Sequence, residues 1–186
     1  GLDDLRRRYE SDRIPAVFDQ RVMSSERADY ESYLGSFGLT AATPWEQIVE
    51  SGGNRAGDTL QFMQLPVVAD GRACARFLAN GVRHIPEASR HLQSWEVRVT
   101  REQQEEALQR LERGDRIQLE PEFGNAADPN AVLLMSEGVP LGWVPRAISA
   151  SIRELLEVHQ RDAVVHRVNG PNDPVHLRLA LDLDTP

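Results

Sequence analysis

The sequence GDRIQLEPEFGNAADPNAVLLMSEGVPLGWVPR, residues 114–146, determines the expected fold of the larger part of this chain. Residues 116–119 alternate polar and apolar side chains, as a half-buried strand does, and residues 131–135 form a short apolar run typical of a strand covered on both faces. A third strand is expected over residues 139–144. Turn-forming residues separate the three segments. The pattern predicts a compact β-meander with one polar loop, and Pro145 suits the first turn of a helix that leaves the sheet.

This stretch resembles the HIRAN domain. That family has a loop ending in Asn-x-x-Asp-x-Asn-Ala, then a strand, and then Leu-Gly-(Tyr/Trp)-(Val/Leu)-Pro-Arg before a helix. An upstream Gly-(Val/Leu)-Arg-(Tyr/His) motif also matches, and the resemblance covers residues 72–186. The residues that carry it are Asn125, Asp128, Asn130, Ala131, Leu141, Gly142, Trp143, Val144, Pro145 and Arg146, with Gly81, Val82, Arg83 and His84 upstream.

The resemblance implies a modified OB-type β-barrel that binds the 3′ end of single-stranded DNA. The DNA-binding residues that it implies are Arg83, His84, Asn125, Asp128 and Arg146. In this interpretation the loop carboxylate accepts a hydrogen bond from the terminal 3′-hydroxyl and repels a phosphate. The two arginines contact phosphates, and the histidine stacks on a base.

Other interpretations of the same residues remain open. Asn125 and Asp128 are also residue types that cap a loop through Asx turns, and Trp143 is expected to pack in the core rather than to stack on a base. One departure concerns DNA binding directly: family members that bind DNA have an aromatic residue immediately before the loop aspartate, and this chain has Ala127. Phe123 is the candidate substitute.

Residues 14–62 resemble the N-terminal subdomain of HipA-type kinases, in which a Phe-x-Asn/Asp-x-Leu segment precedes two helices and a Gly-Gly-(Asp/Asn)-Arg-x-Gly turn. The matching residues are Phe18, Asp19, Gly52, Gly53, Asn54, Arg55 and Gly57. Helices are predicted over residues 26–37 and 44–51, the second with a Thr43/Glu46 capping box. Phe18, Leu34, Phe37, Trp45 and Ile48 are expected to form the core of this short unit. No kinase catalytic motif follows, so the resemblance implies no kinase activity.

The predicted fold class is α+β, with a small helical N-terminal unit, residues 1–66, and a HIRAN-like barrel with added helices, residues 72–186. Residues 67–72 are the expected boundary. Thr100 and Gln103 predict a second capping box before a helix over residues 101–113. Strict alternation over residues 175–183 predicts a C-terminal strand with one buried face.

Composition limits the function. The chain has 186 residues and a net charge of −8, which argues against a broad grip on duplex DNA. All 21 basic residues are arginines, and the single Cys74 excludes an internal disulfide. No cofactor, metal site, enzymatic activity or membrane association is expected, and the predicted location is the cytoplasm of a bacterium. The preferred function is non-catalytic binding of single-stranded DNA ends in DNA repair or defence. The alternative is a protein-interaction module, whose partner would dock on the barrel or on the helical N-terminal unit.

Overall fold

The computed structural model describes residues 4, 9–53, 62–63, 65–69, 72–158 and 161–185. The chain separates into two compact units, Gly1–Met63 and Gln64–Pro186. Asn54, Arg55 and Gly57, which belong to the Gly-Gly turn of the N-terminal resemblance, lie outside the described residues.

Within its described residues, the first unit contains three short helices, α1 (Ala16–Asp19), α2 (Tyr30–Gly35) and α3 (Pro44–Ser51). Helix α3 begins as its sequence predicts. The Thr43 hydroxyl accepts a hydrogen bond from the Glu46 backbone N–H at 3.2 Å, and the Glu46 carboxylate accepts one from the Thr43 N–H at 2.7 Å. The helix ends at Gly52, whose φ of 62° favours glycine. Helix α2 is shorter than the predicted segment, residues 26–37.

The core of the first unit differs from the prediction at two positions. Leu34, Phe37 and Ile48 are buried as expected. Phe18 is only half-buried, with its ring centroid 4.6 Å from that of Phe62, and Trp45 is 53% exposed, so the placement of Trp45 in the core was wrong. The buried positions of α3 are Gln47, Ile48 and Ser51. Helix α3 turns Gln47 toward the interior instead of Trp45, because both polar groups of the Gln47 side chain have hydrogen-bond partners there. Its oxygen accepts from the Met23 N–H, and its amide donates to the Tyr30 hydroxyl.

In the part of the second unit that the structure describes, seven strands form an antiparallel sheet in the order β1-β2-β9-β8-β5-β6-β7. A small hairpin, β3 with β4, lies outside it. The elements in chain order are β1 (Val67–Ala69), β2 (Arg72–Leu78), β3 (Arg90–His91), β4 (Glu96–Val97), α4 (Arg101–Arg110), β5 (Arg116–Pro121), β6 (Val132–Ser136), β7 (Val139–Trp143), α5 (Arg146–Val158), β8 (Asp162–Val168) and β9 (Leu179–Thr185). Strand β1, which falls within the expected boundary, pairs with β2.

The sheet curls until its last strand meets the chain just after β2. The Asn80 N–H donates to the Trp143 carbonyl at 2.8 Å, and the Trp143 N–H donates to the Asn80 carbonyl at 2.9 Å. This curled antiparallel architecture is compatible with an OB-like barrel. Its interior is apolar, and four consecutive residues of β6, from Val132 to Met135, are buried. The continuous apolar run in the sequence therefore marks a strand covered on both faces, as predicted.

The C-terminal strand is shorter at its start than the sequence predicted. The predicted strand over residues 175–183 begins only at Leu179, because Val175–Leu177 forms a 3-10 turn and Val175 is exposed. The buried Asn169 explains the break, since its side-chain amide donates to the Leu177 carbonyl at 2.8 Å and holds the turn.

Helix α4 has the predicted capping box between Thr100 and Gln103. No helix within the described ranges is long and apolar enough to cross a membrane.

Candidate functional site

The polar loop between β5 and β6 is closed at its base and ordered inside. The Glu122 N–H donates to the Ala131 carbonyl at 2.9 Å, which extends the pairing of the two strands by one residue. Within the loop, the Asn125 side-chain oxygen accepts from the N–H groups of Ala127 and Asp128, at 2.9 and 3.1 Å. Asn125 thus caps the loop backbone, as its residue type predicts.

Glu122 anchors one end of the loop from inside the protein. It is 3% exposed. One carboxylate oxygen accepts from the Asn125 amide at 2.6 Å and from the Trp143 indole N–H at 2.7 Å, and the other lies 3.6 Å from the Arg90 guanidinium. A buried carboxylate is tolerated only where donors surround it. Glu122 therefore binds the loop to β7 and to β3.

Asp128 is the half-buried carboxylate at the other end of the loop. One oxygen accepts from the Asn130 N–H at 2.9 Å, which is the expected Asx turn. The other accepts from the Ser149 hydroxyl at 2.7 Å. Ser149 lies in the first turn of α5, so the helix that follows the Pro-Arg motif holds this carboxylate in place.

The upstream motif lies on a 3-10 turn, Val82–His84. Arg83 and His84 are both exposed, and the Arg83 Nε donates to the His84 Nε2 at 3.0 Å. The Arg90 guanidinium donates to the His84 carbonyl and also pairs with Glu122. Arg90 therefore links the upstream turn to the loop, although the two segments are far apart in sequence.

Trp143 is a packing residue, as the sequence predicted. The Arg90 guanidinium lies over its ring, 4.6 Å from the centroid. Gly81 lies so close that a Cβ added there would come within 2.6 Å of a ring carbon. The ring also packs against a buried cluster that includes Leu133 and Met135. Arg90 and Gly81 both lie against the ring, so its contacts are with the protein's own residues.

Arg146 is the first residue of α5 and is exposed. Its carbonyl accepts from the Ser149 hydroxyl at 3.1 Å, the same hydroxyl that donates to Asp128. A chain of contacts thus links the segments that carry Arg83, His84, Asn125, Asp128 and Arg146. It consists of hydrogen bonds, several of them to backbone atoms, and of the 3.6 Å ion pair between Arg90 and Glu122.

Sequence reasoning missed four residues that hold this region together: Arg90, Glu122, Ser149 and Arg153. The Arg153 guanidinium donates from one nitrogen to the carbonyls of Glu122, Ala131 and Pro129, at 3.0, 3.3 and 3.5 Å. It also lies over the Phe123 ring, 4.7 Å from the centroid. The only sequence signal was the position of Glu122 beside a turn, and Glu is usually exposed there.

A metal centre has no support in the part of the chain that the structure describes. No group of three or more His, Cys, Asp or Glu side chains there could hold a metal ion. The region is instead a set of carboxylate, amide and guanidinium groups. Such groups recognise hydroxyls and phosphates by hydrogen bonding.

The HIRAN domain model matches residues 88–184, which is just over half of the chain. The chain belongs to the HIRAN domain family. The match includes the loop of Glu122 and Asp128 and the start of α5, whereas Arg83 and His84 precede it. No curated protein and no solved structure matches the chain.

Proposed function

We propose that this protein binds the 3′ end of single-stranded DNA without catalysing a reaction. The family to which it belongs is known for this activity. The observation that best supports the proposal here is the Asp128 carboxylate, half-exposed and held by Asn130 and Ser149 in a loop whose backbone is capped.

The chemistry of a strand end fits this carboxylate. An ionised carboxylate has about four lone-pair positions, and the Asn130 and Ser149 bonds use two of them. A terminal 3′-hydroxyl can donate to a remaining position, whereas a 3′-phosphate would place like charges together. The carboxylate therefore distinguishes a free end from a phosphorylated one.

The exposed cations supply the second element of recognition. Arg83 and Arg146 contact phosphates behind the terminal nucleotide, and His84 lies beside Arg83 to contact its base. A short site with two phosphate contacts is compatible with a net charge of −8, because it does not need the broad basic face that duplex binding requires.

The test is a titration of labelled single strands ending in 3′-hydroxyl or 3′-phosphate, at two salt concentrations. A hydrogen bond to a charged group contributes roughly 1.5–3 kcal/mol, so Asp128→Ala should weaken binding of the 3′-hydroxyl strand about ten- to hundredfold. The 3′-phosphate strand should bind weakly to the wild type already, and the substitution should weaken it no further. Arg83→Ala should weaken both strands and lower the salt slope by about one phosphate contact.

Two variants serve as controls for the carboxylate. Asp128→Asn keeps an oxygen for the Asn130 N–H but removes the charge, so it should reduce the discrimination between the two ends. Asp173→Ala removes a carboxylate that caps a different turn, through the Gly170 N–H at 2.9 Å, and should leave binding unchanged. Equal wild-type affinity for both ends, or no binding at tens of micromolar, would refute the proposal.

A protein partner is the second candidate, and the exposed Trp45 of the N-terminal unit favours it. Single large apolar side chains are common on surfaces, but tryptophan is enriched where partners dock. We place a partner on this HipA-N-like helical unit, and the DNA end on the barrel, in a bacterial repair or defence protein of the cytoplasm. If the 3′-end titration fails, the interaction module is the function that remains.

A further inference from the structure

The loop lacks the aromatic residue that the family resemblance places directly before its aspartate. That position is Ala127, and the ring of Trp143 is covered by Arg90 and Gly81. A site for single strands normally includes an aromatic surface on which a base stacks. The remaining aromatic residue of this loop is Phe123, which is 42% exposed.

Phe123 is held in place on two sides. Its N–H donates to the His91 carbonyl at 2.8 Å, so the β3 segment fixes its backbone. Its ring lies beneath the Arg153 guanidinium, 4.7 Å from the centroid. Arg153 is itself fixed by three carbonyls on both arms of the loop. Ordering an exposed side chain on binding costs conformational entropy. The contacts of Phe123 with His91 and Arg153 restrict its side chain beforehand, so this cost is smaller.

We propose that Phe123, supported by Arg153, is the platform on which a base at the 3′ end of the strand stacks. This inference rests on the proposed DNA-end function and names the missing contact to the base. Phe123 follows Glu122 directly, and Glu122 pairs with Ala131 across the mouth of the loop. The ring is therefore on the same loop as Asp128, at its opposite end.

The pairing of a ring with a guanidinium suits this role. Every nucleobase presents a π face, so the contact tolerates any sequence. The positive charge over one face of the ring adds a cation–π contact, and it brings a cation close to the phosphates of a bound strand. Asp128 would then select the 3′-hydroxyl end, and Phe123 would stack on the base. Neither contact depends on the identity of the base.

The experiment combines a substitution with an abasic scan, using the full chain. Phe123→Leu keeps the apolar bulk and removes the π face, and Phe123→Trp restores it. Titrations use 3′-hydroxyl strands in which each of the last four nucleotides is replaced in turn by an abasic unit. Trp45→Leu removes an exposed aromatic residue from the other unit and serves as the matched control.

Phe123→Leu should weaken binding of the intact strand about five- to hundredfold, and Phe123→Trp should bind like the wild type. At one abasic position the wild type should lose the same factor, and Phe123→Leu should lose nothing more. That position identifies the stacked base. An unchanged affinity of Phe123→Leu, an equal loss at every abasic position, or an equal loss in Trp45→Leu would overturn the assignment.

The two proposals fail in different ways. If the wild type binds intact strands and discriminates 3′-hydroxyl from 3′-phosphate, but Phe123→Leu is unaffected, only the platform is refuted. If the wild type binds no strand, both proposals are refuted. Thermal melting of each variant separates a folding defect from a binding defect, and Phe123→Trp provides a second test if Phe123→Leu is unstable.

Discussion

Glu122 and Asp128 are two carboxylates of one loop, and their surroundings differ. Glu122 is almost fully buried, and its partners are the Trp143 indole, the Asn125 amide and the Arg90 guanidinium. Asp128 is half-exposed, and its partners are a backbone N–H of its own turn and the Ser149 hydroxyl. Glu122 joins three segments of the second unit, whereas Asp128 is fixed beside solvent.

The difference indicates that Glu122 stabilises the fold, whereas Asp128 can bind a ligand. A carboxylate that is surrounded by its own protein's donors has no capacity for a ligand, but its loss would release every group that it holds. A carboxylate beside solvent contributes less to stability and can still accept a hydrogen bond. The comparison therefore predicts that substitutions near Glu122 mainly affect folding, and that substitutions near Asp128 affect folding little.

Glu122→Ala should have the largest effect on stability. It would leave Arg90 without its carboxylate and the Trp143 and Asn125 donors without their acceptor, so the free energy of unfolding should fall by about 3–5 kcal/mol. Urea unfolding followed by tryptophan fluorescence measures this. Glu96→Ala removes an exposed carboxylate that lies 3.5 Å from His91, and it should change stability by less than about 1 kcal/mol. Similar losses in the two variants would contradict the comparison.

Gly81→Ala should have the next largest effect on the free energy of unfolding, because it disturbs the packing of Trp143, whose indole Glu122 holds. Gly81 has a φ of 64°, and a Cβ there would come within 2.6 Å of the Trp143 ring. Left-handed backbone and overpacking together should lower the free energy of unfolding by about 2–3 kcal/mol. Gly138→Ala, at a φ of 81° with open space around it, isolates the backbone contribution. If the two variants were equally stable, the Trp143 ring would not be held rigidly.

Ser149→Ala should have the smallest effect on stability, about 1 kcal/mol, because it removes one hydrogen bond from a half-exposed carboxylate that water can reach. Urea unfolding of this variant and of Glu122→Ala gives the comparison directly. Ser151→Ala, an exposed position in the same helix, should be neutral. A loss at Ser149 as large as that at Glu122 would mean that the Asp128 end is also architectural.

Local signals in the sequence predicted the local structure well. The capping boxes at Thr43 and Thr100 fix where α3 and α4 begin, and the apolar run of β6 predicts a strand covered on both faces. These features depend on residues within a few positions of one another, so the sequence carries them directly.

The features that sequence reasoning missed depend on partners far away in the chain. Arg90, Glu122 and Trp143 meet because the fold of the second unit brings β3, the loop and β7 together. The exposure of Trp45 follows from Gln47 finding partners in Met23 and Tyr30. Alternation over residues 175–183 overestimated the last strand for the same reason, since Asn169 holds the turn at Leu177.

The pairing of Asn80 with Trp143 also determines where the second unit can be cut. The family match begins at residue 88, after β2 and after Asn80. A fragment limited to residues 88–184 would lose the six residue pairs of β9 with β2 and the two bonds at Trp143. Two unpaired strand edges would then face solvent, and such edges pair with other chains. For work with an isolated domain, the boundary lies before β1, and a shorter fragment is expected to aggregate.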